Sequence, residues 1–187
     1  MNPRTDLIAV LEKCRTLEPE IARTGEALLA CLKAGGKILT CGNGGSAADA
    51  MHLAEELLGL YDRPRRALPA VCLCGDATTL TCIANDHGYE KIFARQIEAL
   101  GRPGDVLVGF TTSGNSPNVL AAFATARAQG VRTILLGGKG GGQARGRCDF
   151  ELIVPADSTA RIQEVHTLIL HTWLGRIDAE FAAPDSP

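Results

Sequence analysis

The 187-residue sequence lacks the features that mark nucleic-acid-binding, membrane and secreted proteins. Its formal net charge is only −2 at pH 7, which gives no electrostatic reason to expect a nucleic-acid partner. No apolar run approaches the length of a membrane span, and no basic-then-apolar signal begins the sequence. We therefore expect a cytoplasmic protein that has neither a nucleic-acid partner nor a membrane partner.

The sequence contains seven cysteines but no Cys-x-x-Cys pair. Five of them lie among apolar residues: Cys31, Cys41, Cys72, Cys74 and Cys82. This distribution predicts small apolar side chains in a reducing compartment, rather than disulfides or a structural zinc site. The length, with 45% hydrophobic and 21% charged residues, predicts one globular domain with a substantial core.

A glycine-rich turn at residues 42–46 organises the sequence. It follows the apolar residues 37–40, which predict a buried strand, and precedes residues 46–58, whose apolar positions recur at helical spacing. A strand that leaves such a turn as a helix directs backbone N–H groups to one point, where the helix dipole favours an anion. Ser46 and Asp49 also fit a capping box, which would start the helix without any ligand.

Strands and helices alternate along the rest of the sequence. We predict strands at 37–41, 70–74, 105–110, 131–136 and 150–154, and helices at 46–58, 76–83, 89–100, from 117 onward and at 158–181, with a loop at 84–88. Continuous apolar strands separated by helices indicate a parallel sheet covered on both faces. We therefore predict an α/β three-layer sandwich with a five-stranded parallel sheet in the flavodoxin-like strand order.

Two amphipathic helices precede the first strand, separated near Pro19. A phosphate-binding loop does not require them, so a partner subunit is a natural place for their apolar stripe. We treat residues 1–187 as a single domain, in which residues 1–34 form a helical region for oligomer contact and residues 35–187 form the α/β core.

A second polar loop follows the third predicted strand and carries four hydroxyl groups, on Thr111, Thr112, Ser113 and Ser116. They surround the start of a helix that Ser116 caps and Pro117 opens. Hydroxyls and backbone N–H groups suit a phosphomonoester without a cationic clamp. In the predicted sheet, this loop and the glycine-rich turn both lie where the strand order reverses, which is where ligands bind. The alternative is an ordinary turn rich in serine and threonine.

A nucleotide-binding oxidoreductase domain is a further alternative. Gly42, Gly44 and Ala47 fit the dinucleotide fingerprint, and Asp76 could be its acidic ribose partner. That interpretation leaves the second hydroxyl-rich loop unexplained. The Walker pattern is absent, because Lys139 follows glycines but lacks the Ser or Thr and the spacing. We predict no nucleotide cofactor.

Titratable side chains lie on two of the predicted helices. His52 and Glu56 are four residues apart and project together, so they can hold a divalent metal or act as an acid/base couple. The alternative is a solvated pair on a helix surface. The C-terminal helix is apolar nearly all round, which predicts a buried helix. On it, His166 is predicted to be a hydrogen-bonded core histidine.

Taken together, these segments resemble the sugar-isomerase (SIS) domain family, and within it the phosphoheptose isomerases. The matching pieces are Cys-Gly-Asn-Gly-Gly-Ser at 41–46, Met-His-Leu-Ala-Glu-Glu at 51–56, Asn-Asp at 85–86, Thr-Ser-Gly-Asn-Ser at 112–116 and Arg-Ile-Gln-Glu-Val-His from 161 on to His171. They cover most of the chain in family order. The resemblance implies conversion of sedoheptulose 7-phosphate to D-glycero-D-manno-heptose 7-phosphate, an aldose–ketose isomerisation that supplies heptose for bacterial lipopolysaccharide and surface glycans. It also implies a homotetramer with active sites at subunit contacts.

The resemblance also implies roles for individual residues. Glu56 and His171 would be the catalytic acid/base pair. Zinc, present in metal-containing members, would be held by His52, Glu56, Gln163 and His171. The substrate would be bound by Asn43, Gly44, Gly45, Ser46, Glu56, Asn85, Asp86, Thr111, Thr112, Ser113, Ser116 and Gln163, of which Thr111 stands where many members have Ser. Residues 35–187 would thus be a sugar-phosphate-binding core.

Two of the implied zinc ligands are far apart along one helix. Gln163 and His171 are eight residues apart, which is roughly 12 Å along a helix at 1.5 Å per residue. A single ion reaches both only through long side chains, a bend in the helix, or contributions from two subunits.

The chemistry fits the residues. Aldose–ketose isomerisation moves a proton between C1 and C2 through an enediol, so it needs a base for carbon and a second group or a metal for the oxygens. We assign Glu56 to the carbon proton and His171 to the oxygen protons or to ring opening. A non-catalytic SIS protein that binds the replication initiator is the alternative, and the joint presence of His52, Glu56 and His171 favours the enzyme.

Overall fold

The computed structural model describes residues 2–182, which form a five-stranded sheet and seven α-helices. The strands are β1 (Ile38–Gly42), β2 (Ala70–Cys72), β3 (Val106–Thr111), β4 (Arg132–Gly137) and β5 (Phe150–Ile153). The helices are α1 (Pro3–Cys14), α2 (Glu18–Lys33), α3 (Gly45–Leu58), α4 (Ala77–His87), α5 (Ala94–Leu100), α6 (Pro117–Ala128) and α7 (Thr159–Phe181). Three short 3₁₀ segments lie at Arg15–Leu17, Tyr89–Lys91 and Lys139–Ala144.

All neighbouring strands are parallel and follow the order β2-β1-β3-β4-β5. Ile38 of β1 pairs with Ala70 on one side and with Val106 on the other. This arrangement confirms the predicted flavodoxin-like sheet. Because the order reverses between β1 and β3, the loops that follow these two strands lie side by side at the same edge.

Helices cover both faces of the sheet and enclose two hydrophobic cores. Val106 and Val108 of β3 belong to the core under α2, α3 and α7, whereas Leu107 belongs to the core under α5 and α6. Successive side chains of a strand point to opposite faces, so a strand covered on both sides is apolar throughout. The continuous apolar runs in the sequence therefore reflect the three-layer architecture.

Helix α2 packs against α7 of its own chain. The indole Nε1 of Trp173, a fully buried side chain of α7, donates to the Ile21 carbonyl at 3.0 Å and lies 3.1 Å from the Thr24 hydroxyl. Gly25 lets the two helices approach, since a Cβ there would lie 3.1 Å from the indole. Part of the apolar stripe is thus buried within the chain, while Ile8 of α1 stays 60% exposed. Oligomer contact by residues 1–34 remains a prediction.

Two local predictions about helix ends were wrong. Residues 84–87, predicted as a loop, form the last turn of α4, because Ala84 packs on the core and Gly88 ends the helix at φ +88°. The predicted capping box does not form: α3 begins at Gly45, and its cap is Gly44 at φ +56°. Ser46 therefore lies inside the first turn, where its side chain is buried.

All seven cysteines are free thiols, and Cys31 and Cys41 are buried as apolar side chains would be. Cys82 was wrongly predicted to be an apolar filler, because it lies exposed on α4, where its Sγ is 3.7 Å from Asp86 Oδ2. Within residues 2–182, no helix combines the length and the apolarity that crossing a lipid bilayer would require.

Candidate active site

The loops after β1 and β3 line one pocket of about 260 Å³. Its lining residues are all uncharged: Asn43, Gly45, Ser46, Phe110, Thr111, Thr112, Ser113, Ser116, Thr159 and Gln163. The pocket lies at the N-termini of α3 and α6, where two helix dipoles favour an anion. The loops after β1 and β3 therefore meet in space, as the predicted strand order required. We refer to this pocket as the hydroxyl end of the site.

The hydroxyl of Ser116 does not cap α6, although Ser116 occupies the cap position. Its Oγ lies 3.2 Å from the Thr111 hydroxyl, and the Asn118 side-chain oxygen accepts the Val119 N–H at 2.9 Å. The prediction that Ser116 caps this helix is therefore correct for its position but wrong for its side chain. Because the Asn118 side chain bonds an N–H group at the start of α6, the Ser116 hydroxyl can face the pocket that it lines.

A pair of amides joins the two loops. Asn43 and Asn118 exchange reciprocal side-chain hydrogen bonds of 2.9 and 2.8 Å, and the Tyr89 hydroxyl donates to Asn43 at 3.0 Å. Asn118 is only 1% exposed, so its amide is held in one orientation. Sequence reasoning missed this residue. The signal that could have found it is an amide among apolar residues just after the helix start.

Helices α3 and α7 lie side by side and run parallel, with polar residues facing each other at successive turns. A Cβ added to Gly45 would lie 2.5 Å from Gln163 Nε2, and the Thr167 hydroxyl donates to Asp49 Oδ1 at 3.1 Å. One turn further, the Nε2 atoms of His52 and His171 are 3.4 Å apart. The result is a polar seam that starts at the hydroxyl end and follows both helices.

Asp49 lies in the middle of this seam and is almost entirely buried. Its second oxygen, Oδ2, has no hydrogen-bond partner among residues 2–182. Burial raises the pKa of Asp49, although the Thr167 hydroxyl and the nearby His52 lower it.

The far part of the seam brings together His52, Glu56 and His171, which we call the histidine end. His52 Nε2 is 3.4 Å from Glu56 Oε1, and the ring of Tyr61 stacks on His171 with centroids 5.4 Å apart. The side chain of His52 is 33% exposed and that of Glu56 18% exposed, so both can be reached by a ligand. His52 and Glu56 are thus a partly exposed pair on a helix surface that a third titratable side chain, His171, meets through His52.

Side chains at the histidine end could hold a metal ion. Two of the separations between its possible ligand atoms are 3.4 Å, the roughly 3.4 Å that separates ligands of a tetrahedral zinc ion bound at about 2.1 Å. Glu55 also brings a carboxylate oxygen within 4.8 Å of the ligand atoms of His52 and Glu56. Three ligands with nitrogen and oxygen donors are typical of catalytic zinc sites, which keep a fourth position open.

The remaining candidate residues lie elsewhere. Gln163 belongs to the hydroxyl end, so the structure does not bring it to His171 within one chain. Asn85 and Asp86 are exposed on the last turn of α4 and do not line the pocket. Asp76, the possible ribose partner, instead caps α4 by accepting the Thr78 N–H at 2.9 Å.

His166 is the buried core histidine that the sequence predicted. Its Nε2 lies 3.1 Å from the Gly137 carbonyl at the end of β4, and its side chain is not exposed. Burial lowers the pKa of His166 to about 4, although the hydrogen bond to Gly137 opposes the shift. This histidine anchors α7 to the sheet between the two ends of the seam.

Comparison with known proteins identifies the family. The model of the SIS domain matches residues 4–138. Over 92% of both chains, the sequence is 52% identical to a phosphoheptose isomerase of Campylobacter jejuni subsp. jejuni serotype O:6. The chain belongs to the phosphoheptose isomerase family. A second member, from Paramagnetospirillum magneticum, is 56% identical over 87% of this chain and 84% of its own.

Solved structures of phosphoheptose isomerases have the same fold. Phosphoheptose isomerase GmhA from Neisseria gonorrhoeae superposes with a TM-score of 0.89 at 42% identity, and the match covers 94% of each chain. A phosphoheptose isomerase from Francisella tularensis gives a TM-score of 0.88 at 40% identity with the same coverage. These relatives are enzymes, which favours the isomerase over the non-catalytic, initiator-binding alternative.

Proposed function

We propose that this chain interconverts sedoheptulose 7-phosphate and D-glycero-D-manno-heptose 7-phosphate as an aldose–ketose isomerase. The observation that carries the proposal is the polar seam between α3 and α7, which joins a pocket suited to phosphate with a carboxylate and an imidazole. Such a seam suits an extended substrate that is charged at one end and reacts at the other. Membership of the phosphoheptose isomerase family supports the same reaction.

The hydroxyl end binds the phosphate in this proposal. The hydroxyls of Thr112, Ser113 and Ser116 donate to phosphate oxygens, and Thr111 supports Ser116 through their 3.2 Å contact. Since the lining residues carry no charge, the N-termini of α3 and α6 supply the positive potential. Asn43, Gly44, Gly45 and Ser46 bind the adjoining part of the sugar, as does Gln163.

Proton transfer takes place at the histidine end. The carboxylate of Glu56 removes a proton from one of the two reacting carbons and returns it to the other, with an enediol between the two steps. The imidazole of His171 transfers protons at the oxygens of C1 and C2 or assists ring opening. Both groups lie beside the seam, so a substrate anchored by its phosphate presents its reacting carbons to them.

We include zinc in the proposal, held by His52, Glu56 and His171. When bound, zinc would polarise the oxygens of the substrate at C1 and C2. The fourth predicted ligand, Gln163, would have to come from another subunit, because within the chain it lies at the hydroxyl end.

We further propose a homotetramer in the cytoplasm that supplies heptose for lipopolysaccharide and other surface glycans. Apolar side chains exposed near the histidine end support self-association, among them Met51 and Leu58 at 48% and 51% exposure. Leu168, also 51% exposed, lies in a groove between α7 and the helices within residues 1–34, the region proposed to contact another subunit. In a tetramer, Asn85 and Asp86 could reach the site of a neighbouring chain, which would explain their exposure. Residues 1–187 would act as one SIS domain.

An isomerase assay tests the proposed function. Purified protein with sedoheptulose 7-phosphate should yield an aldoheptose 7-phosphate, detected by chromatography and NMR. Sedoheptulose without its phosphate is the matched control and should react far more slowly, since the hydroxyl end then has no ligand. Repeating the assay after chelation and again after restoring zinc tests the metal. Absence of turnover under all of these conditions would contradict the proposal.

A further inference from the structure

The segment between α3 and β2 lies across the end of α7 beside the histidine end. The ring of Tyr61 stacks on the imidazole of His171 at an interplanar angle of 26°. Gly175, one turn further along α7, lies beside this ring, and a Cβ there would contact the Tyr61 ring at 4.0 Å without a clash. The segment thus packs on the same face of α7 that carries His171.

A buried carboxylate of α7 holds this segment. Asp178 is 1% exposed, and its Oδ2 accepts the backbone N–H groups of Asp62 and Arg63 at 2.8 and 3.0 Å. Its Oδ1 accepts the Arg65 Nε–H at 2.5 Å. Asp178 lies seven residues after His171, so both side chains project from the same face of the helix. The residues that follow Tyr61 are therefore tied to α7 at a fixed distance from His171.

The same ion pair reaches the end of α3 that carries Glu56. The guanidinium of Arg65, whose side chain is 0% exposed, donates to the Glu56 carbonyl at 2.6 Å and to the Leu57 carbonyl at 3.1 Å. These carbonyls belong to the last turn of α3, where no further N–H group of the helix can donate to them. Arg65 thus connects the backbone of Glu56 on α3 to Asp178 on α7.

A buried ion pair generally adds little net stability over an apolar pair of similar volume, because both charges lose their hydration. What this pair provides is a defined geometry: three elements meet at one guanidinium and one carboxylate. Its hydrogen bonds fix the end of α3, the following segment and α7 relative to one another.

We propose that Arg65, Asp178 and Tyr61 are positioning residues that hold the Glu56 carboxylate and the His171 imidazole at the separation that isomerisation requires. None of the three needs to touch the reacting atoms. The inference rests on the proposed function, and the experiment below separates the failure of one from the failure of the other.

The test compares Tyr61→Leu and Arg65→Lys with the intact protein. Lysine keeps the positive charge beside Asp178 but cannot donate to both carbonyls and the carboxylate from one planar group. Asp178→Asn is less suitable, because it would leave the buried guanidinium without a counter-charge and endanger folding. Arg66→Lys is the matched control, since Arg66 is an exposed neighbour that contacts the Phe181 ring and the Ala67 carbonyl.

In steady-state assays of protein shown by circular dichroism to be folded, we expect both variants to lower kcat about tenfold, as small misplacements of catalytic groups do. We expect KM to change less than about twofold, because the phosphate is bound at the other end of the seam. In D₂O, both variants should also incorporate more solvent deuterium per turnover, since a displaced carboxylate returns its proton less efficiently. Mere loss of folded protein would lower the rate without changing this ratio.

A measurement that does not depend on turnover follows the His171 ring protons by NMR, assigned with His171→Gln. Tyr61→Leu should move these signals by removing the stacked ring, and Arg65→Lys should move them too, although Arg65 is not in the stack. Arg66→Lys should leave them unchanged. If Arg65→Lys leaves both the His171 signals and the deuterium ratio as in the intact protein, the positioning role is wrong. If the intact protein has no turnover but the NMR shifts follow this pattern, the geometric coupling stands and only the proposed reaction fails.

Discussion

The two ends of the seam between α3 and α7 are built in different ways. The hydroxyl end is built mainly from two loops, each of which follows a strand and begins a helix within a few residues, and Thr159 and Gln163 of α7 complete its lining. The histidine end is assembled from two helices whose facing residues, His52 and His171, are 119 positions apart in the sequence. Local sequence therefore specifies each loop of the first end, whereas no local pattern specifies the second end, which exists only once α3 and α7 pack together.

This difference predicts different responses to mutation. In the proposed function, several hydroxyls and two helix termini share one ligand at the hydroxyl end, so removal of one group should weaken binding without abolishing it. At the histidine end, the proposal gives each side chain a separate chemical task. Loss of one such group should stop the reaction while leaving the ligand bound.

The largest effect is expected for Glu56→Gln. The amide keeps the size of the side chain but cannot accept a proton from carbon, so kcat should fall by about 10³-fold or more. KM should stay within about twofold, because the phosphate contacts are intact. Steady-state kinetics, together with calorimetric binding of sedoheptulose 7-phosphate, check this. Unchanged turnover would remove Glu56 from its role, and lost binding would show that the two ends are not independent.

Acidification should lower the free energy of unfolding through His166, which packs between the two ends of the seam. Its pKa is lowered to about 4 by burial, so the unfolded chain, with a histidine pKa near 6.5, binds the proton first as pH falls. The contribution of His166 to the free energy of unfolding is therefore complete above about pH 6.5. As pH falls toward 4, about 3 kcal/mol of this contribution is lost. Urea unfolding at several pH values measures the slope.

His166→Gln should remove this part of the pH dependence. His87→Gln is the matched control, because His87 is exposed on α4 and should leave the slope unchanged. An identical pH dependence in the His166 variant and the intact protein would contradict the assigned origin of the acid sensitivity.

Ser116→Ala tests the shared binding of phosphate. Removal of one hydroxyl that donates to a charged group should raise KM about tenfold and change kcat little. Thr172→Ala is a suitable control, since that exposed hydroxyl only bonds the Leu168 carbonyl of its own helix. A fall in kcat with unchanged KM would place Ser116 in the chemical step instead.

Smaller effects are expected at the amide pair, where Asn118→Ala frees the Asn43 amide from its reciprocal hydrogen bonds. We expect kcat/KM to fall roughly threefold to tenfold, because Asn43 must then be ordered by the substrate. Tyr89→Phe removes only the hydroxyl that donates to Asn43, so it should have a smaller effect than Asn118→Ala. The reverse ranking would mean that Tyr89, and not Asn118, orients this amide.

Much of the fold could be predicted from the sequence, because the apolar runs indicate the strands and the periodicity indicates the helices. The apolar strands and the positions of two loops at the reversal point followed from patterns within a few residues, as for residues 42–46. Helix ends were less reliable, since Gly44 and Asp76 take cap positions that depend on backbone angles and hydrogen bonds. For the same reason Ser46 was misplaced as a cap.

The candidate site could be predicted only in part. The four-residue spacing made His52 and Glu56 a candidate pair, but the pairing of Glu56 with His171 came from resemblance, and no spacing within the sequence places those two together. Arg65 and Asp178 were missed, because an arginine in a polar segment and an aspartate near a helix end are ordinary in a sequence. Their contact becomes visible only when the segment after α3 folds across α7.

Because α3 and α7 pack in parallel, the distance between the two ends of the site is fixed by a number of helical turns. Gly45 to His52 spans seven residues and Gln163 to His171 spans eight, so both helices advance about two turns between the ends. One residue inserted into either interval would rotate every later side chain by about 100° and turn the histidine away from its counterpart. In the proposed function, the distance between the phosphate and the reacting carbons is consequently set by helix pitch, which cannot be adjusted gradually as the length of a loop can.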